Sequence, residues 1–321
     1  DGSALRPPGG RKPDGVAGFD APVPSGGYRW WYVDALSDDG QHGLTVIGFV
    51  GSVFSPYYAF GRRRGRSDPE NHCSLNVALY GKSGHRWSMT ERGSRSIARN
   101  ESSFIIGPSS MRWEEGVLVI DIDEVTVPVP TRLRGQVRLT PSAICAHEVR
   151  LDLRGQHMWR PVAPRSHVEV NFEKPGLQWS GAGYHDSNWG EVPLEDSFDS
   201  WVWSRTATKD GAAIIYDTVM RDGSTRAFAL DVDGSGNVRD LSVPSRQEMP
   251  TTFWRMRRHT LSYSAVKEVS LLEDSPFYAR TLLRVQIDDE VCMAFHESLS
   301  LGRFRNPVVQ MMLPFRMPRR A

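Results

Sequence analysis

Cysteine is scarce in this chain of 321 residues: Cys73, Cys145 and Cys292 lie far apart, and none forms a CxxC pair. An odd, dispersed set argues against a disulfide framework and a thiolate zinc site, and suits a reducing compartment. Long apolar runs are missing as well. Nothing reaches the roughly 18 consecutive apolar residues of a membrane span, and the first 13 residues, polar with Gly and Pro, have no apolar signal core. Neither sign of charge dominates. The formal net charge is +1, which leaves no global field to draw in nucleic acid or an acidic partner.

Several chemical signatures are also absent. Gly81-Lys82-Ser83 lacks the earlier glycine of a phosphate loop, because Asn76 stands there. There is no GxSxG nucleophile elbow and no dinucleotide fingerprint. The nine histidines contain no HxxxH or HExxH pair, so a metal site has little support. Asp231, Asp233 and Gly236 imitate the start of a calcium loop, but Ser242 replaces the bidentate Glu, and the stretch reads as a hairpin loop. Neither metal nor cofactor is expected, so the chemistry must come from side chains.

What is present is an ordinary globular composition, 39% hydrophobic and 24% charged, with 13 Phe, 10 Trp and 9 Tyr to line apolar cavities. A single core stops growing near roughly 250–300 residues, which favours two domains. Residues 1–27 read as an irregular lead-in. Beyond them, strand-like runs recur at 43–50, 74–80, 117–122, 134–139, 167–172, 212–216, 227–232 and 282–287. Turn signals such as Asp39-Gly40, Glu115-Gly116, Asp210-Gly211, Asp222-Gly223 and Asp233-Gly234 lie between the runs. Weak helical windows fall at 276–282 and 296–303. With no long helical period between the strands, the chain reads as all-β, of sandwich or barrel type. Trp30-Trp31-Tyr32 before Asp39-Gly40 is echoed by Trp201-Val202-Trp203 before Asp210-Gly211. Either a duplication or the reuse of a common hairpin explains that. The domain boundary is placed near Pro164, giving domains 28–164 and 165–321.

Two segments concentrate reactive side chains: 155–161, with His157 and Trp159, and 179–190, with Trp179, Tyr184, Asp186 and Trp189. Taken singly, each has a structural reading. Asp186 before Ser187-Asn188 suits an Asx turn, Tyr184 and Trp189 suit core positions with a bonded polar tip, and His157 suits a structural role. Their combination near the expected boundary favours a ligand pocket.

These segments closely resemble the carotenoid 1,2-hydratase (hydroxyneurosporene synthase) family. The likeness extends over GGYRWWYVDALSDDG at 26–40, FVGSVFSPYY at 49–58, NHCSLNVALYG at 71–81, MTERG at 89–93, YHDSNWG at 184–190, DSPFYAR at 274–280 and HESLSL at 296–301. It implies two lipocalin-like β-barrel or sandwich domains packed together. It also implies a cofactor-free hydro-lyase of photosynthetic bacteria that adds water across the terminal C1–C2 double bond of acyclic carotenes such as neurosporene and lycopene. The implied catalytic residues are His157, Trp159, Tyr184 and Asp186, with Trp189 adjoining.

That chemistry demands a proton for an alkene, a very weak base. Protonation of the CH carbon leaves a tertiary cation, which water captures as a tertiary alcohol. An ordinary Asp, with pKa about 3.9, has no proton to give at neutral pH, but burial in an apolar pocket raises the value. Asp186 is therefore expected as the acid. Tyr184 and His157 are expected to orient it and the water, and Trp159, Trp189 and Trp179 to line the substrate. Trp159 and Trp189 would face the cation, where a desolvated contact adds about 2 kcal/mol, roughly thirtyfold in rate. A carrier of carotenoid or another apolar ligand needs the same pocket without a neutral acid. A cyclase on this fold would capture the cation internally. A glycosidase would need two facing carboxylates, for which nothing pairs Glu91, Glu195 or Asp196.

The expected setting is cytoplasmic, with peripheral contact to the inner or photosynthetic membrane where the substrate resides. Two stretches combine basic and apolar residues. One is Tyr57-Tyr58-Ala59-Phe60 before Arg62–Arg64 and Arg66, and the other is the tail 302–321, with five Arg beside Phe304, Met311, Met312, Leu313, Phe315 and Met317. A solvated loop and a docked C-terminal strand are the plainer readings.

Overall fold

The computed structural model describes residues 7–82, 84–287 and 290–320. The start of the lead-in (1–6), Ser83 of the rejected phosphate-loop motif and Ala321 at the end of the tail lie outside the described residues. The chain divides into two compact units. The first comprises Asp1–Val149, His157–Pro193 and Met312–Ala321, and the second Arg150–Gln156 and Leu194–Met311.

The first unit is one long antiparallel sheet. Its strands are β1 (Tyr28–Ser37), β2 (His42–Val50), β3 (Cys73–Gly81), β4 (Arg86–Arg92), β5 (Ile97–Arg99), β6 (Ser103–Ile106), β7 (Ser109–Glu114), β8 (Val117–Val125) and β9 (Arg132–Pro141). A two-residue β10 (Val149–Arg150) precedes the long pair β11 (His157–Lys174) and β12 (Leu177–Gly190). The spatial order is β4-β3-β2-β1-β12-β11-β9-β8-β7-β6-β5, with Arg319–Arg320 lying parallel beside β4. The first hairpin shows how the sequence drives this. The Asp39-Gly40 turn puts Gly40 at φ +67°, a conformation that costs glycine little, and Ser37 Oγ donates to Asp39 Oδ1 at 2.5 Å.

Alternation then separates two faces. Trp31, Val33 and Ala35 of β1 join Leu44, Val46 and Val50 of β2 and Leu75, Val77 and Leu79 of β3 in an apolar core. The sheet curls so that Phe104, Ile106, Met111, Trp113, Leu118 and Ile120 close over the same core. At Gly48 the two walls nearly touch, since a Cβ there would lie 2.5 Å from Met111 Sδ. Each large apolar side chain buried in this way contributes about 1.5–3 kcal/mol. The lead-in lacks regular structure but is not loose. Val16 and Phe19 enter the core, the Phe19 ring lies 4.9 Å from Trp31, and Arg99 Nη1 donates to the Phe19 carbonyl at 2.6 Å.

Pro164, the expected boundary, lies inside β11, a strand wholly within the first unit. The prolines have a local effect instead. Pro161 and Pro164 offer no N–H to the ladder, and the pairing of β11 with β12 shifts register between Arg160 and Ala163 and again between Ala163 and Ser166.

In the second unit, β13 (Phe198–Ala207), β14 (Gly211–Met220), β15 (Thr225–Asp233), β16 (Val238–Leu241), β17 (Ser245–Met249), β18 (Arg258–Ser262), β19 (Lys267–Asp274), β20 (Tyr278–Ile287) and β21 (Glu290–Ser300) form a sheet ordered β16-β15-β14-β13-β21-β20-β19 and a separate β17–β18 hairpin. The sequence echo has a structural counterpart. β1 and β13 each open a unit, form a hairpin with the next strand, and pair on their other side with a later strand, β12 or β21. The helical windows do not hold. Residues 278–282 belong to β20, and 296–300 to β21, before a single turn at Leu301–Phe304. Tyr278 faces Leu299 across that ladder, and cross-strand pairing overrides the weak local pattern. The Asp233 loop is the expected hairpin, its carboxylate accepting from the Ser235 and Asn237 backbone amides.

The 57–66 stretch contains a short helix (Pro56–Arg63) capped by Ser55, with Tyr58 buried and Phe60 exposed. Of the tail's apolar residues, Phe304, Leu313 and Met317 are buried, whereas Met311 and Phe315 are exposed. Among the described residues, no helix is long and apolar enough to cross a membrane.

Candidate active site

The face of β1, β12 and β11 turned away from the apolar core is polar and aromatic. Strand alternation puts Tyr28, Trp30, Tyr32 and Asp34 of β1 on it with Tyr184, Asp186 and Asn188 of β12 and His157 and Trp159 of β11. All nine are buried. Asp186 is the focus. Its Oδ2 accepts the Tyr184 hydroxyl and the Trp159 indole N–H, each at 2.9 Å. The first bond arises because residues i and i+2 of a strand share a face, and the second because Trp159 pairs with Asn188 on the neighbouring strand. The Asx-turn reading of Asp186 is thereby replaced, since the residue sits in mid-strand.

His157 does not join Asp186 directly. It pairs with Gly190, four residues along β12 from Asp186, which is about 14 Å of strand. Its Nδ1 lies 2.9 Å from the Tyr28 hydroxyl, and the two rings stack at 5.8 Å. Trp189 occupies the opposite face, where its ring carries the Arg29 guanidinium at 4.7 Å. A cation beside Asp186 meets neither face of that ring. Trp179 packs against the apolar core and also stands apart. Trp159 lies on the Asp186 face and donates its indole N–H to that carboxyl, rather than standing apart as a substrate-lining ring. Glu91 lies 2.9 Å from His72 Nδ1 and also accepts from Arg319, while Glu195 and Asp196 belong to the second unit.

A second carboxyl, outside the expected set of residues, shares this face. Asp34 is fully buried and accepts the Tyr32 hydroxyl at 2.8 Å. β1 therefore repeats the Tyr-x-Asp arrangement of β12 in antiparallel sense, with Tyr32 opposite Asp186, Asp34 opposite Tyr184, and the two tyrosine rings 6.1 Å apart. The carboxyls are diagonal neighbours, a relation that spans roughly 7–8 Å between Cα atoms. The available signal was the shared Tyr-x-Asp spacing at 32–34 and 184–186, meaningful only once the strands are known to be adjacent.

His185, between Tyr184 and Asp186, points into the core. Its Nδ1 donates to the Tyr32 carbonyl at 2.8 Å, and burial pushes its pKa down to about 4, so the ring is neutral at pH 7. Burial likewise lowers Arg29, to about 10, which leaves it charged against Trp189. The arrangement offers a sheltered carboxyl with two fixed donors, a second carboxyl as its diagonal neighbour on the adjacent strand and aromatic rings around both. Such a site can deliver and retrieve a proton on an apolar molecule.

Comparison with known proteins places the chain in a family. Residues 46–321 match the family described as carotenoid hydratase CrtC. The acyclic carotenoid 1,2-hydratase of Thiocapsa roseopersicina is 51% identical, over 99% of this chain and 80% of its own length. That of Rubrivivax gelatinosus is 48% identical, over 96% of this chain and 77% of its own length. Among solved structures, an AttH-type protein of Nitrosomonas europaea shares the fold, with a TM-score of 0.59 and 17% identity over 86% of this chain and 92% of that one. The fold is all-β and lipocalin-like, and the chain belongs to the carotenoid hydratase family.

Proposed function

We propose that this protein is an acyclic carotenoid 1,2-hydratase, a hydro-lyase that converts the terminal C1–C2 double bond of a carotene such as neurosporene or lycopene into a 1-hydroxy tertiary alcohol. The observation that carries the reading is the doubly bonded, buried Asp186 among aromatic rings, in a chain of this family. Because Oδ2 already accepts two hydrogen bonds, the transferable proton belongs on Oδ1. From there it passes to C2, and the C1–C2 π electrons form the new C–H bond. The tertiary cation left at C1 forms on the sheet face that carries the Tyr184, Tyr32 and Trp159 rings. Water adds at C1, and the oxonium proton it carries is taken by Asp34 or returned to Asp186. Only water is consumed and no electrons leave the substrate, so the reaction requires no redox cofactor.

Protonating an alkene requires a neutral carboxyl sheltered from water, and Asp186 is only 3% exposed. The apolar substrate resides in a bilayer, so we also propose peripheral contact with the cytoplasmic face of a membrane. Incubation with lycopene in detergent and ¹⁸O-water tests the reaction. Wild type should yield a labelled tertiary alcohol, and Asp186→Asn should lose roughly 100-fold or more in turnover. Near-wild-type turnover by Asp186→Asn removes it as the acid. Unchanged carotene with a bound absorption shift supports a carrier, and an isomer without label supports a cyclase.

A further inference from the structure

The second unit has a cavity of about 490 Å³ that the hydration chemistry does not use, lined by Arg246, Arg255, Arg257, Arg303, His259 and Ser298 among others. Some of its charge is already engaged. Arg246 pairs with Glu248 at 3.1 Å, and His259 Nε2 lies 2.7 Å from Asp217. Arg258, also in the wall, is bound to Glu268 at 2.9 Å, to Thr281 and to the Pro250 carbonyl. Arg303 donates to the Trp254 carbonyl at 2.8 Å. Among the described residues, Arg255 and Arg257 have no acidic partner, and both are exposed. The Ser298 hydroxyl in the same wall is buried with no hydrogen-bond partner among the described residues. Asp199, exposed at the rim, is the one carboxylate in the lining. Free guanidiniums and an unspent hydroxyl around a concave site match a phosphate, which accepts several bonds at once.

The loop that carries these arginines is built to project. Arg255 N donates to the Thr252 carbonyl at 2.8 Å and Phe253 N to Asp274 Oδ2 at 2.9 Å. Arg255 itself takes φ +53°, a left-handed conformation that a non-glycine residue seldom adopts. Phe253, in the same turn, is 87% exposed, its ring perpendicular to that of Trp254. A bare phenyl ring two and four residues before uncommitted arginines is the pattern of an interfacial anchor, apolar into the acyl boundary and cationic toward headgroups.

We propose that this face docks on an anionic bilayer, with a phosphate-bearing lipid headgroup in the cavity against Arg255, Arg257 and Ser298, and Phe253 inserted beside it. The proposal rests on the peripheral-contact reading above and is independent of the hydration step. The test is vesicle flotation of the full chain with phosphatidylcholine, with and without phosphatidylglycerol. Wild type should float with the anionic vesicles and be released by salt. Arg255→Gln/Arg257→Gln should bind about 30-fold more weakly, at roughly 1 kcal/mol per charge. Phe253→Ser should also weaken binding. Both changes are on the exposed surface, and circular dichroism should show an unchanged β spectrum. Wild-type binding that neither variant reduces means the contact lies elsewhere and overturns this site. Calorimetric binding of inorganic phosphate without vesicle binding makes the cavity a site for a soluble anion and overturns the docking role. Wild type that floats with no vesicle overturns this site and the peripheral reading together, while hydration in detergent stands or falls separately.

Discussion

An acid catalyst should work faster as pH falls, but His185, lying between Tyr184 and Asp186, sets a limit. Its Nδ1–H is committed to the Tyr32 carbonyl, and protonation of Nε2 would place a charge in the apolar core near the Trp113 ring, 6.0 Å away. Burial lowers its pKa from 6.5 to about 4. In the unfolded chain the ring takes a proton below pH 6.5, whereas in the folded chain it does not until about pH 4. Between those values the unfolded state binds more protons, so stability falls as pH falls. The slope is about 1.4 kcal/mol per pH unit, and the full loss is on the order of 3 kcal/mol. That is a large fraction of the roughly 5–15 kcal/mol that holds a domain together. Urea unfolding at a series of pH values between 7.5 and 4.5 should show at least this slope in wild type. His185→Gln keeps a donor for the Tyr32 carbonyl and removes the titration. It should cost about 1 kcal/mol at pH 7.5 and be flatter below pH 6.5 by one proton's slope. Parallel curves for the two proteins would refute the reasoning. His296 in the second unit, pushed by burial to about 3, acts in the same direction and remains in both proteins, so it cancels in the comparison.

Trp159→Phe and Tyr184→Phe each remove one donor from Asp186 Oδ2 and keep a ring, so each should slow turnover about 5–30-fold, from 1–2 kcal/mol, with little change in KM. Trp189→Phe, on the opposite face under Arg29, should change turnover less than about threefold; a larger loss than at Trp159 would contradict the face assignment. Asp34→Asn retains an acceptor for Tyr32 and should fold, yet lose roughly 100-fold in turnover if Asp34 receives the proton of the attacking water. Wild-type rates in that variant would leave proton return to Asp186.

Much of the architecture was legible because a strand's periodicity is local. The runs at 43–50, 74–80 and 212–216 fall within strands because alternation and the flanking turns are written in consecutive residues. The windows at 276–282 and 296–303 misled because hydrogen bonding between β20 and β21 outweighs a weak helical pattern, and that partner is distant information. Pro164 read as a boundary because proline interrupts a ladder. Here it interrupts only the register and leaves the strand whole.

Asp186, Tyr184 and Trp159 stand out in the sequence because they lie in two short segments dense in reactive side chains, and Tyr184 and Asp186 share a face by their spacing alone. The exclusions followed from composition and motif spacing, which need no third dimension. The pairing of β1 with β12 was decided by tertiary structure. It brings Tyr32 and Asp34 beside an acid some 150 residues later and, with β11 on the other side of β12, links His157 to Tyr28. Sequence fixes parity within a strand, whereas neighbours across strands depend on which strands find each other, and that is settled by burying the whole apolar face at once.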